Sequence, residues 1–457
     1  MNGFPAAGLV YVVIAGSCAL NGWAYGQVEA SKHEQTQKSL PVLRANSKTI
    51  DVQDGDRLRK GIWVADPSVE VDVFCAGRSD KKRTVTFISD IDRLAFEVEP
   101  DKMYDFVIVL NDKERCTTRL STFVRPFKQV DGGEGPVEIP FVMDGGRMIV
   151  KASVNGSKEL DLIFDTGADT TLIHSSSAVK GVKVDVDGEQ SHTGFGGTAT
   201  SCVAFENTIE VASVKGGIRW EHEPVLWSAG ESFGVDGLIG SHVFEDKVVE
   251  FDFDRSVLVI HDSLPEKASG FASTAMRGAG RTFAIEMTLA GGEKRGEGWA
   301  FFDTGFVPSL MVSRGLDEKL GLRGELRKIG KSRSSGTGKA TVESDVLVLP
   351  ELVIGGTVLT DVPVHVETAG SEQGANHSEA VVGLDVIKRF NMLLDYPKDR
   401  LYLHPNSLAG SAYSMKVPSP PWMWIVGAPV GAVMGGVGGV VALRRRKKMR
   451  SERVVAV

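Results

Sequence analysis

Leu162-Ile163-Phe164-Asp165-Thr166-Gly167 recurs as Ala300-Phe301-Phe302-Asp303-Thr304-Gly305, 138 residues further on. Each copy is an apolar run that stops at Asp-Thr-Gly. A second pair keeps the same order. GSHVFEDKVVEFDFDRSVLVIH, residues 240–261, aligns without a gap onto GLDVIKRFNMLLDYPKDRLYLH, residues 383–404, at an offset of 143. Both blocks read as a Gly, a short helical stretch, an apolar strand, an Asp turn and a second apolar strand ending in His. A few loop residues account for the difference in offset. Self-similarity of this kind outranks any local element. It divides the chain into two homologous lobes, 134–264 and 270–405, joined by a Ser/Ala/Gly-containing connector.

The chemistry follows from where each Asp stands. A carboxylate at the end of a buried strand is presented outward by the turn into Gly. Gly167 and Gly305 allow a tight backbone and a close approach of the other lobe. The hydroxyls of Thr166 and Thr304 can bond backbone across the lobe interface and hold the two turns together. Two Asp brought face to face do not both ionise easily, so Asp165 and Asp303 share a proton. One is then a base for water while the other donates to a carbonyl, and the titration belongs to the pair. Such a dyad cleaves peptide bonds without a covalent intermediate.

The two lobes resemble retropepsin-type aspartic proteases fused in tandem, in a bilobal, pepsin-like arrangement of the bacterial type. Residues 164–169, FDTGAD, are similar to the retroviral-type motif. Gly237-Leu238-Ile239-Gly240 and Val381-Val382-Gly383-Leu384 resemble the hydrophobic-hydrophobic-Gly element that packs behind each catalytic loop. One Asp-Thr-Gly is a weak signal, whereas two, each with its downstream Gly element in register, are a strong one. The fold implied is all-β, a bilobal acid protease preceded by a small antiparallel β domain. The region with Tyr104-Asp105-Phe106 before Cys116 also looks like a domain that accompanies some bacterial members.

The resemblance also implies a flap from the hairpin between the two elements of each lobe. Thr193-Gly194-Phe195-Gly196-Gly197 occupies that place in the first lobe, and Ser335-Gly336-Thr337-Gly338 in the second. Gly194, Phe195, Gly196, Gly336 and Gly338 are thereby substrate-binding candidates, and glycines there allow opening and closing over a peptide. Ordinary hairpin tips are the alternative. Asp169 is a further candidate, since in the retroviral motif that acid helps bind the substrate backbone. Its aligned position is Val307, so the lobes are asymmetric. Ala168 and Phe306 both lack the hydroxyl that acid-working pepsins place there, which points to activity nearer neutral pH.

Outside the lobes, residues 27–47 are polar and read as a flexible leader. Residues 48–131 alternate like strands at 71–74, 84–88, 94–98 and 106–110, a small β domain closed by the turn-rich 131–136. Cys75 and Cys116 lie within it, so a disulfide is expected there, with two buried thiols as the alternative. Cys202 reads as an unpaired core or flap-edge residue. There is no CxxC or HxxxH pair and the nine His are scattered, so neither a metal nor a cofactor is expected.

The ends carry the charge asymmetry. The chain has 52 basic and 59 acidic residues, net −7. Residues 444–457 hold seven Lys/Arg and one Glu, a tail of +6, which leaves −13 for the rest. An acidic body argues against a nucleic-acid partner. The uncharged run 422–443, flanked by Trp422 and Trp424 on one side and Arg444 to Lys448 on the other, is long enough to span about 30 Å of hydrocarbon. Gly427, Gly431, Gly435 and Gly439 recur every four residues and would share a face for self-association. Residues 1–28 carry no charge, with an apolar run at 6–20 and Ala24-Tyr25-Gly26 as a cleavage site, so 1–26 reads as a secretory signal. A retained N-terminal anchor and lipidation at Cys18 are the alternatives. The expected layout is signal, leader, β domain, two lobes, linker 406–421, a single transmembrane helix and a basic cytoplasmic tail. The C-terminal end also resembles bacterial sorting signals, which are removed after export. Both readings put the lobes outside the cytoplasm.

Two functions are consistent with this sequence. One is an aspartic endopeptidase acting on polypeptides through Asp165 and Asp303. The other is a catalytically silent peptide- or wall-binding surface protein that keeps the fold. Intact Asp-Thr-Gly in both lobes favours the first.

Overall fold

The computed structural model describes residues 40–415, except 68–70, 124–125, 131–134, 195–196, 230–233, 280–281, 292–293, 337–340 and 370–379, together with 455–456. The expected signal, the 422–443 span and its Gly stripe at Gly427, Gly431, Gly435 and Gly439 lie outside the described residues. Among those described, no helix is long and apolar enough to cross a membrane.

Each lobe runs through the same series of strands. In lobe 1 these are Val137–Asp144, Arg147–Val154, Leu160–Asp165 and Thr171–His174, then the long hairpins of Gly188–Gly194, Gly197–Ser213 and Gly216–Ser228, and finally Gly237–Gly240. Lobe 2 repeats the series from Thr282–Gly291 through Lys294–Asp303 and Leu310–Val312 to Ala380–Gly383. The apolar run before Asp165 is an alternation. Leu160, Leu162 and Phe164 are buried, so the period of two leaves Asp165 on the opposite face. Ala300 and Phe302 place Asp303 in the same way.

The aligned blocks build the floor. Val137–Asp144, Val257–His261, Val248–Asp252, Phe390–Asp395, Arg400–Pro405 and Ala272–Ala279 pair in that order, all antiparallel. At its centre Val249 faces Leu394 and Phe251 faces Met392, joining one lobe to the other. One continuous apolar core runs from Phe164, Trp220 and Phe251 in lobe 1 to Phe302, Leu394 and Leu401 in lobe 2. Burying many such side chains, at roughly 1.5–3 kcal/mol each, holds the lobes as one unit.

The N-terminal domain is a sandwich of two four-stranded sheets. One sheet holds Arg57–Val64, Thr49–Asp54, Arg83–Ile88 and Arg93–Val98, and is antiparallel throughout. The other differs from the antiparallel expectation. Val42–Ala45 pairs parallel with Met103–Leu110, and Asp72–Cys75 pairs parallel with Glu114–Ser121. The expected leader therefore contributes a strand, because buried Leu43 and Ala45 complete the sandwich core. Trp63 stacks on Phe74 at 4.9 Å and Phe106 lies 4.8 Å from Phe87 within that core. The expected Cys75–Cys116 disulfide is absent. The parallel register sets Cys75 against Ser121, five residues along the strand from Cys116. Buried Cys116 lies instead 3.7 Å from Asp72 Oδ2. Cys202 is buried on the flap strand, opposite Glu189 and Trp227.

Two boundaries also move. Lys128–Val130 pairs with Gly217 to Arg219 and so extends a lobe 1 sheet rather than closing the sandwich. The start of the expected linker is packed structure. Arg389, buried, donates from Nη1 to the carbonyls of Leu408, Ala409 and Ser411 at 3.1, 3.1 and 2.8 Å.

Candidate active site

Leu160–Asp165 lies parallel to Gly237–Gly240, with Asp165 opposite Gly240. In lobe 2 Asp303 stands opposite Gly383 in the same pairing. Each hydrophobic-hydrophobic-Gly strand thus lies beside its Asp-Thr-Gly strand and sets where the turn leaves the sheet.

The two turns meet at the lobe interface. Thr166 N–H donates to Thr304 Oγ1 and Thr304 N–H donates to Thr166 Oγ1, both at 3.0 Å. Each hydroxyl then donates across the interface, Thr166 to the Phe302 carbonyl at 2.8 Å and Thr304 to the Phe164 carbonyl at 2.7 Å. Both threonines are fully buried, so every one of these polar groups finds its partner in the opposite lobe.

That lattice sets the carboxylates face to face. Gly167 N–H donates to Asp165 Oδ1 at 2.7 Å, and Gly305 N–H to Asp303 Oδ1 at 2.8 Å. A Cβ on Gly167 would lie 2.6 Å from the Asp303 carboxyl carbon, and a Cβ on Gly305 would lie 2.6 Å from that of Asp165. Each glycine is therefore required by the acid of the other lobe. Burial raises both acids above the usual carboxylate range. Asp165 is relieved by the Gly167 N–H and by its hydrogen bond with Asp303. Asp303 is pushed further, well above the usual value, by burial and then by the Asp165 charge. Two acids placed this way ionise together less readily than isolated carboxylates do.

The lobes differ just beyond the turns. Phe306 N–H adds a second bond to Asp303 Oδ1 at 3.0 Å, and its ring is buried. Val307 lies close over Gly146, in the lobe 1 hairpin between Val137–Asp144 and Arg147–Val154. Its counterpart Asp169 is exposed and accepts from Thr170 Oγ1 at 3.3 Å.

Gly194 pairs with Gly197 at the end of the lobe 1 hairpin, the place expected for a flap. Phe195 and Gly196, which connect them, lie outside the described residues, as does Gly338. Gly336 follows Lys328–Ser335 at the equivalent hairpin of lobe 2. A residue that sequence reasoning missed, His192, sits in the lobe 1 hairpin with Nε2 2.9 Å from Ser201 Oγ. Burial lowers its pKa, and the charge of Asp169 opposes that shift. Glu223 and His242 behind the lobe 1 turn were missed as well. The available signal was that His242 aligns with Asp385 in the repeat, two titratable residues at one buried position. A cavity of about 420 Å³ lies between the sandwich and the lobes, beside Arg59, Arg83 and Glu245, and neither Asp165 nor Asp303 lines it.

Residues 150–243 match the family described as Aspartyl protease. No curated protein matches the chain. Among solved structures, the chain is similar to the aspartic proteinase from Irpex lacteus, at 15% identity over 60% of this chain and 99% of that one, with a TM-score of 0.42. The matched stretch, residues 150–243, is similar to that family and carries Asp165-Thr166-Gly167 together with its Gly240 partner strand.

Proposed function

We propose that the chain is an aspartic endopeptidase that hydrolyses polypeptides with a water activated between Asp165 and Asp303. One observation carries this reading: two half-buried acids from two lobes face each other, each crowding the glycine of the opposite turn. In the half-protonated pair the ionised carboxylate takes a proton from the water as it attacks the scissile carbonyl. The protonated one donates to the carbonyl oxygen. Proton return to the leaving nitrogen then completes cleavage. The threonine lattice keeps the carboxylates aligned through these steps, which is where positioning counts. Since one chain supplies both acids, no dimer is required.

In this reading the lobes face outside the cytoplasm, attached through 422–443 or released after processing of that end. The support is the charge and hydropathy of the sequence ends. Protease protection of the lobes in intact cells, followed by mass spectrometry of both termini, tests it.

The catalytic test is cleavage of an unfolded protein by the purified chain across pH 3–8. Cleavage that disappears in Asp165→Asn and in Asp303→Asn supports the endopeptidase. No cleavage at any pH, or equal cleavage by the Asn variants, would leave the peptide- or wall-binding alternative.

A further inference from the structure

The N-terminal sandwich sends one side chain into the wall of lobe 1. Arg78 follows the strand Asp72–Cys75, and its guanidinium is 1% exposed. Its Nη1 and Nη2 donate to the two carboxylate oxygens of Glu223 at 2.7 and 2.6 Å. Glu223, on Gly216–Ser228 of lobe 1, is fully buried. Arg78 Nε also donates to the His242 carbonyl at 3.3 Å, and its amide donates to Glu245 Oε1 at 3.1 Å. The sandwich thereby grips the turn Ser241–Phe244 from outside.

The grip continues to the catalytic turn. Glu223 Oε1 lies 3.2 Å from His242 Nε2. The other nitrogen of that ring, Nδ1, lies 2.5 Å from where a Gly240 Cβ would stand, and the Ala168 carbonyl oxygen lies 2.6 Å from the same point. Gly240 is the register partner of Asp165, and Ala168 is the third residue after it. Trp220 Nε1 donates to the Val243 carbonyl at 3.2 Å and fixes the far side of the same turn. Arg78, Glu223 and His242 therefore form a buried hydrogen-bonded series, and the His242 ring fills the space beside Gly240 at the Asp165 turn.

We propose that Arg78 is a positioning residue for Asp165. The N-terminal domain, through Glu223 and His242, sets the lobe 1 turn against the lobe 2 turn. A buried bidentate arginine pair suits this role because its geometry is fixed by two parallel hydrogen bonds. The domain is then a working part of the enzyme rather than a spacer.

The inference rests on the endopeptidase reading for its kinetic readout and not for its structural one. Arg78→Met alone strands a buried carboxylate and can unfold the lobe. Arg78→Met/Glu223→Gln removes both charges and keeps the fold testable. In the full chain this double variant is expected to lose about 10- to 100-fold in kcat with KM little changed. The pH profile should shift, because the two carboxylates no longer meet in one geometry. Arg78→Lys, which keeps the charge and loses the fork, should recover part of kcat. Hydrogen exchange should rise at 165–168 and 237–243, and at Thr304, whose amide donates to Thr166 Oγ1, and stay unchanged at 305–306, whose amides donate within their own turn. A folded double variant with wild-type kcat, pH profile and exchange overturns the proposal. If the wild-type chain cleaves nothing, the endopeptidase reading fails by itself, and the exchange pattern still decides whether Arg78 holds the turn.

Discussion

The turns of Asp165 and Asp303 match nearly hydrogen bond for hydrogen bond, while their supports come from opposite ends of the chain. Behind Asp165, His242 is tied to Arg78 of the N-terminal sandwich through Glu223. Behind Asp303, the aligned residue is Asp385, also buried. It accepts from Ser414 N–H at 2.8 Å, Ser414 Oγ at 3.0 Å and Lys388 Nζ at 2.7 Å. Arg389 stacks on Tyr413, 3.8 Å from the ring centre, and closes that C-terminal segment onto lobe 2. A duplicated half-site leaves a buried polar group behind each turn, and such a group must find partners. Here each group has one partner inside its own lobe, Glu223 or Lys388, and one further support from outside the duplicated unit, Arg78 before it and Ser414 after it.

The sharpest way to break the symmetry is at the acids. Asp165→Asn and Asp303→Asn should each lower cleavage by at least about 10³-fold, and the double variant should be no worse than either single one. Unequal losses, measured as kcat/KM on one substrate, would show that the lobes do not share a proton as one unit.

The next contrast tests the lobe 1 support. Glu223→Gln leaves the Arg78 guanidinium buried without its charge partner, at a cost of about 3–5 kcal/mol. Burial pushes the Glu223 carboxyl up, but Arg78 and His242 outweigh it and hold it down to about 2. A depressed acid contributes stability above its unfolded value that is lost as pH falls through the folded one. The deficit of Glu223→Gln should therefore be full at pH 7 and shrink only between about 4.5 and about 2. Urea unfolding at several pH values reads this directly, and a deficit that vanished by pH 5 would contradict it.

Thr166→Val and Thr304→Val compare the two halves of the lattice. Each removes one donor and leaves one buried N–H unpaired, for about 1–3 kcal/mol of stability. Equal losses are expected from the matched distances. A larger loss for Thr166→Val, which unpairs Thr304 N–H and the Phe302 carbonyl of lobe 2, would mean that the lobe 2 turn depends more on its partner than the lobe 1 turn does.

The smallest effect has the opposite sign. Asp303 is raised well above the usual value by burial and by Asp165. A raised acid contributes stability that is full below its unfolded pKa and lost as pH rises through the folded one. Asp303→Asn should thus melt higher than the wild type at pH 7, by about 2–4 °C for each kcal/mol, with the gain closing toward pH 4. Calorimetry across that range would detect a flat difference, which would contradict a shared proton.

The duplication and the β architecture were legible because Asp-Thr-Gly and the later Gly blocks are local and repeat in order. Alternation around Leu160, Leu162 and Phe164 needs only period two to be read. Other features were not legible for identifiable reasons. The parallel strands of the sandwich depend on Val42–Ala45 returning to a partner about sixty residues away, and no local pattern encodes that pairing. The disulfide expectation failed on register, which spacing in the sequence does not carry. The support of lobe 1 escaped notice because Arg78, Glu223 and His242 are three separate charged or polar residues, each of which would ordinarily be read as solvated surface.

Sequence alone determined that the chain holds two copies of one strand-turn unit, each ending in an acid, since periodicity and motif order are local properties. Tertiary structure decided which groups those acids face. Only the packed lobes crowd each carboxylate against the glycine of the other turn. Only packing half-buries the two acids against each other and removes water from Arg78 and Glu223, which makes their charges act on one another at short range.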